Sequence, residues 1–168
     1  MDAAELLNGG ASFVIDTSAW WRLSALPHDL LRALRDATLQ DRMLTTPVVR
    51  MEILYSARTS VEYVAYDAEL SALRMLRNDR AVANTAMSAL SELAARSDGY
   101  HRVSITDALI AAAAAEHGGL AVLHKDGHFD RLAEVLAFES SRSRSTDRSA
   151  PPHGGRDATL CACVSRPR

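Results

Sequence analysis

V-S-I-T-D-A-L-I-A-A-A-A-A-E-H-G-G, residues 103–119, is the stretch from which the fold can be read. Ser104 stands three residues before Asp107, a capping-box spacing that predicts a helix start. Good helix formers follow, and Gly118-Gly119 supplies a C-terminal stop. From Ala108 to Ala115 the side chains are apolar and mostly small. Such a helix is buried nearly all round, and its alanines let other backbone come close. Asp107 breaks the pattern with a carboxylate in the first turn. A charge at the edge of a core needs a partner, because burying it alone costs several kcal/mol. One reading makes Asp107 the reciprocal half of the capping box and nothing more. The other requires further carboxylates to arrive at the same place.

Working outward, Leu120-Ala121-Val122-Leu123 reads as a buried strand, and Phe13-Val14-Ile15 as a second, bounded by Gly9-Gly10 and Asp16-Thr17-Ser18. Met43-Leu44-Thr45 is short enough for a strand, and Thr46-Pro47 is an N-cap followed by proline at the first helical position. Helical spacing predicts helices beginning at Ala19–Leu23, over Pro27–Leu39, over Val48–Ala57 with Glu52 on it, over Val61–Leu76 and over Ala81–Arg96. His124 to Asp130 reads as a polar loop and Arg131–Phe138 as a last short helix. Strands separated by helices predict an α/β fold with a small parallel sheet.

The chain has 168 residues, 48% hydrophobic and 24% charged, an ordinary composition for one globular domain. No run approaches the roughly 18 apolar residues of a membrane span, and the acidic N-terminus lacks a signal-peptide pattern, so a cytoplasmic protein without a membrane role is expected. Met1–Glu139 carry 13 basic and 19 acidic residues, once six arginines and two acids beyond them are set aside, and this stretch is read as the single domain. A broad basic face for duplex DNA is therefore not expected. Residues 140–168 are rich in Ser, Arg, Pro and Gly without periodicity, and read as a disordered tail. Cys161-x-Cys163 lacks partners at metal-site spacing and is given no zinc role.

Ligands of open parallel sheets bind beyond the carboxyl ends of the strands. Asp16 ends the first strand, Asp126 follows the last by two residues beyond Leu123's neighbour His124, Asp107 opens the preceding helix, and Glu52 lies in the helix after Met43–Thr45. Each alone suits a cap, a turn or a solvated helix face. Together they form an acidic mouth that needs a counter-charge, and a divalent ion such as Mg²⁺ is the natural one. Such an ion lowers the pKa of bound water and neutralises a phosphodiester in flight, which suits metal-assisted hydrolysis.

V-I-D-T-S-A-W (14–20), R-M-E-I-L-Y-S-A (50–57), S-I-T-D-A-L-I-A-A-A-A (104–114) and V-L-H-K-D-G-H-F-D-R-L-A (122–133) resemble, in order and spacing, the PIN-domain nucleases, in particular the VapC-type toxins of bacterial toxin–antitoxin pairs. The resemblance covers about Phe13 to Phe138. It implies a small parallel-sheet domain with helices on both faces. It also implies an Mg²⁺- or Mn²⁺-dependent endoribonuclease whose acidic cluster is Asp16, Glu52, Asp107 and Asp126. Asp16 and Asp107 would be the main metal ligands, supported by Glu52 and Asp126, with Ser18 steadying the first Asp. Structured RNA such as tRNA or rRNA is the implied substrate, a VapB-like antitoxin the implied partner, and a homodimer the implied assembly. His128 stands where many relatives have a second Asp.

Around that site, neutral His128 suits Mg²⁺ poorly and a transition metal better. Asp130, at the start of the next helix, has an easy capping role. His101-Arg102 could meet a phosphate or be solvated. Trp20 and Trp21 could stack on bases, although helical spacing beside a buried strand favours packing. Two other readings compete with a nuclease. One is a degenerate PIN domain that binds RNA or an antitoxin without cleaving. The other is an aspartyl-nucleophile phosphotransferase of haloacid-dehalogenase type built on Asp16, which usually wants a second Asp where Ser18 stands.

Overall fold

A computed structural model describes residues 3–142. Chain order is α1 (Ala3–Asn8), β1 (Phe13–Ile15), α2 (Thr17–Trp20), a 3₁₀ turn (Leu23–Ala25), α3 (His28–Leu39), β2 (Met43–Thr45), α4 (Pro47–Tyr55), α5 (Ser60–Ser71), β3 (Arg74–Met75), α6 (Arg80–Arg96), α7 (Ile105–Glu116), β4 (Ala121–His124), α8 (His128–Leu132) and β5 (Glu139–Arg142). The strands form one sheet in the order β3-β2-β1-β4-β5, every pair parallel. Phe13 lies beside both Met43 and Ala121, so β1 is central and the carboxyl ends of β1, β2 and β4 open on one edge. The small parallel sheet flanked by helices is the fold that the sequence predicts.

Parallel strands covered by helices are predominantly apolar, and β1, β2 and β4 are buried at every position, with Thr45 and His124 their only polar residues. The stretch at 103–119 behaves as its composition requires. Ile110 and Ala111 through Ala114 are fully buried, and α7 packs on β1 and β4 and against α4, α6 and α8. Its end is sharp: Gly118 and Gly119 both take positive φ, which lets the N–H groups of Gly119 and Leu120 turn back onto the Ala114 carbonyl. β4 then starts directly beneath the helix.

Elsewhere the elements depart from the sequence pattern at sheet edges. Ala3–Asn8, for which the pattern predicts no element, forms α1 and buries Leu6 and Leu7, packing on α3 and reaching β5. The helix expected over Val61–Leu76 stops at Ser71, and Arg74–Met75 becomes the edge strand β3. The last helix is not Arg131–Phe138 but His128–Leu132. Ser140–Arg142, read as the beginning of the tail, belong to the second edge strand, β5. The remainder of that tail, with Cys161 and Cys163, lies outside the described residues. Among the described residues no helix is long and apolar enough to cross a membrane.

Candidate active site

Asp16 closes β1 and opens α2. Its backbone N–H donates to the Leu123 carbonyl at 3.0 Å, tying it to β4. Its carboxylate accepts the Ser18 N–H at 2.9 Å and the Ser18 hydroxyl at 2.5 Å. Ser18 Oγ in turn accepts the Lys125 N–H at 3.0 Å, so one serine joins the first acid to the loop after β4. Ser18 is bonded to Asp16 through both its backbone and its side chain. Asp16 is buried, and that burial raises its pKa, against the lowering effect of the Ser18 and Thr17 hydrogen bonds.

Glu52 reaches the same place from α4, which Thr46 caps from the end of β2 by accepting the Val49 N–H. The Thr17 hydroxyl donates to Glu52 Oε2 at 2.6 Å across 35 residues of sequence. Thr17, which the sequence reading names only within the boundary after the first strand, thus holds Glu52 in place. Its signal is its place between Asp16 and Ser18.

Asp107 does not complete the capping box. The Ser104 hydroxyl accepts the Asp107 backbone N–H, at 3.4 Å, but the Asp107 carboxylate turns the other way, to His128 Nδ1 at 2.9 Å. That contact needs the Nδ1–H tautomer of His128, or a proton on Asp107, and the backbone N–H of Ser104 at 3.4 Å from the same nitrogen is the weaker contact. Asp126 lies beside them, accepting the His128 backbone N–H at 3.0 Å, with His128 Nδ1 at 3.4 Å. One ligand atom from each of Asp107, Asp126 and His128 falls within 4.8 Å of the others. Burial pushes the Asp107 carboxyl up to about 6; the His128 hydrogen bond lowers it, and the charges of Asp16 and Asp126 raise it again.

Asp16, Glu52, Asp107 and Asp126 line one open cleft of about 450 Å³ together with Thr17, Ser18, Trp21, Tyr55, Ser104 and Thr106. All four acids singled out in the sequence therefore converge. The donors suit a divalent cation: hard carboxylate oxygens and one imidazole nitrogen, with Asp107 held up in pKa first by burial and then by the charges of Asp16 and Asp126. Asp130 is not among them. It sits in the third position of α8 facing β5, where Arg142 and the Ser140 hydroxyl bond its carboxylate, and it does not cap the helix. His101 and Arg102 do not line the cleft, and Trp20 is buried in the core. Trp21 does line it, edge-on to Tyr66 at 5.5 Å. Tyr55, one helical turn after Glu52 and 92% exposed, is a rim residue that the α4 pattern conceals.

Asp126 and Asp130 are separable by substitution. Asp126→Ala should lower catalysis at least about tenfold more than Asp130→Ala, because only the first removes a ligand atom from the cluster. Asp130→Ala breaks a half-exposed ion pair and should cost about 1 kcal/mol or less. Rate assays alongside thermal melts of both variants check this, and equal activity of Asp126→Ala and wild type would remove Asp126 from the site.

The fold and cleft agree with what this chain is similar to. The model of the PIN domain matches residues 13–135. The chain belongs to the PIN-domain family, in its VapC-type branch. It is 37% identical to Ribonuclease VapC18 of Mycobacterium tuberculosis over 124 residues, covering 73% of this chain and 88% of that relative. It is 35% identical to Ribonuclease VapC51 of the same organism over 123 residues, covering 73% and 86%. Among solved structures, VapBC-5 from M. tuberculosis superposes with a TM-score of 0.55 at 28% identity, covering 79% of this chain and 98% of that one. The DNA-bound VapBC of Salmonella typhimurium gives 0.62 at 22% identity, with the same coverages, and so shares the fold.

Proposed function

We propose that this protein is a metal-dependent endoribonuclease, the toxin of a VapBC-like pair, acting in the cytoplasm on structured RNA such as tRNA or rRNA. The observation that carries the reading is the convergence of Asp16, Glu52, Asp107 and Asp126 in one cleft at the carboxyl edge of the sheet. The relatives' names, Ribonuclease VapC18 and Ribonuclease VapC51, support the ribonuclease reading.

The chain's residues divide the work. Asp16, Asp107 and Asp126 would hold Mg²⁺ or Mn²⁺, with Glu52 in the same cleft and His128 orienting Asp107. When bound, the ion supplies a water of lowered pKa and offsets charge on the phosphate. Ser18 and Thr17 keep Asp16 and Glu52 in place without reorganisation. Tyr55 and Trp21 flank the cleft with aromatic surface suited to unpaired bases of RNA. A VapB-like antitoxin as partner is supported by the VapBC neighbours, and by exposed apolar Met51 and Tyr55 on α4 and Val61 and Val64 on α5. A homodimer is part of the same reading.

Incubating purified protein with bulk RNA and mapping the new 5′ ends tests the proposal. Discrete, metal-dependent cuts are expected; intact RNA under every metal condition would contradict it. That second outcome would favour an RNA- or antitoxin-binding domain without cleavage, a reading motivated by the imidazole of His128 at 2.9 Å from Asp107. His128 also bears on metal choice. His128→Asp should shift the ratio of Mg²⁺- to Mn²⁺-supported rates toward Mg²⁺, because a carboxylate suits Mg²⁺ better than imidazole does. An unchanged ratio in parallel titrations would place His128 outside the metal's reach.

A further inference from the structure

We infer that β5 is a clamp for the loop carrying Asp126 and His128, and that Arg142 and Ser140 are positioning residues for the metal site. The inference rests on the metal-site reading above. β5 lies beyond the residues that match the PIN-domain model, which end at 135. It nevertheless pairs with β4 along its whole length, from Ala121 opposite Glu139 to His124 opposite Arg142. Both strands therefore end at the same level, where the chain enters the loop.

Side chains of β5 fasten that loop at both ends. On the near side, buried His124 shares a hydrogen bond with Ser140 Oγ at 2.8 Å and packs at a 35° tilt against Phe129, ring centroids 4.7 Å apart. On the far side, the Ser140 hydroxyl donates to Asp130 Oδ1 at 2.9 Å, so its oxygen is the acceptor for the His124 Nε2–H. The Arg142 guanidinium bonds the other Asp130 oxygen. Between these anchors, Arg142 Nη2 lies 3.5 Å from where a Cβ on Gly127 would stand, so the guanidinium rests against the one loop residue without a side chain. Asp126 and His128 flank Gly127. Their side chains are 48% and 31% exposed, so core packing alone does not hold them. A metal site needs its ligands fixed to within about 0.5 Å, and here the edge strand provides that support.

The sign of one substitution separates positioning from simple charge. Arg142→Ala removes a cation near an acidic cluster. Through-space electrostatics alone would then tighten binding of a divalent ion, whereas a loosened loop weakens it. Manganese binding to the full chain, followed by electron paramagnetic resonance, is the readout, with thermal melts in parallel. Arg142→Ala and Ser140→Ala should each weaken Mn²⁺ binding about three- to tenfold, below or at the low end of the roughly 10–100-fold found for partners that touch a ligand directly. A merely structural role would lower the melting temperature and leave the affinity of the folded protein unchanged. Unchanged or tighter Mn²⁺ binding by folded Arg142→Ala overturns the clamp. If that variant does not fold, unchanged binding by Ser140→Ala overturns it instead. Asp107→Asn is the control for the underlying site: if it too binds Mn²⁺ like wild type, the site reading fails and the clamp with it. If Asp107→Asn loses affinity and the β5 variants do not, only the clamp fails.

Discussion

Asp107→Asn is expected to abolish RNA cleavage while leaving the protein at least as stable as wild type at neutral pH. The Asp107 carboxyl is pushed from 3.8 to about 6, first by burial and then by Asp16 and Asp126, against the His128 hydrogen bond. The native state therefore binds an extra proton between about pH 4 and pH 6. The cost of ionising Asp107 is absent below that window, grows as pH rises through it, and is fully present above it. A shift of this size corresponds to about 2–3 kcal/mol. Weakening the His128 hydrogen bond offsets about 1–2 kcal/mol of the relief. The cap itself is untouched, since Ser104 Oγ bonds the backbone N–H of residue 107. Melts at pH 4.5 and 7.5 should show wild type losing stability with rising pH relative to the variant. A variant that melts several degrees lower and still cuts RNA would mean that Asp107 is a capping residue only.

Removal of divalent metal should have an equally large effect. Protein stripped by EDTA should lose cleavage, and Mg²⁺ or Mn²⁺ should restore it. The cleft is lined by four carboxylates and by the hydroxyls of Thr17, Ser18, Tyr55, Ser104 and Thr106, with the His128 imidazole bonded to Asp107 beside it. The Ser18 and Thr17 hydroxyls each donate to a carboxylate, Asp16 and Glu52, and so add no positive charge to the cleft. The clustered negative charge also repels a phosphodiester unless a cation intervenes. Rates with rigorously metal-free protein, before and after metal is added back, check this expectation. Full activity without metal would sink the mechanism.

Much of this arrangement was legible in the chain because burial leaves a pattern. α7 declares itself through the apolar run Ala108–Ala115 and the stop at Gly118-Gly119, β4 through Ala121–Leu123, and Asp16 through its place directly after Phe13-Val14-Ile15. Edge strands leave no such pattern. β3 is two exposed residues, Arg74 and Met75, and β5 is Glu-Ser-Ser-Arg, whose polar sequence is indistinguishable from a solvated tail. Their pairing is dictated by the neighbouring strand, which local periodicity does not report. The same holds within the site. Asp16, Asp107 and Asp126 could be found because each follows or opens a buried element, and Glu52 because its helix follows a buried strand. The Thr17–Glu52 bond, the Tyr55 rim and the turn of Asp107 toward His128 depend on how α2 meets α4 and α7 meets α8, which is a tertiary matter. Asp130 had the spacing of a cap, but the proximity of Arg142 and Ser140 turned it to β5.

Asp16, Asp107 and Asp126 are proposed to gather in order to hold a divalent ion. Anomalous diffraction from crystals grown with Mn²⁺ tests it most directly. The account predicts a manganese peak in the cleft, within bonding distance of Asp107 and of at least one of Asp16, Asp126 and His128. Manganese ordered only elsewhere on the protein, with these side chains placed as they are here and cleavage intact, would contradict it.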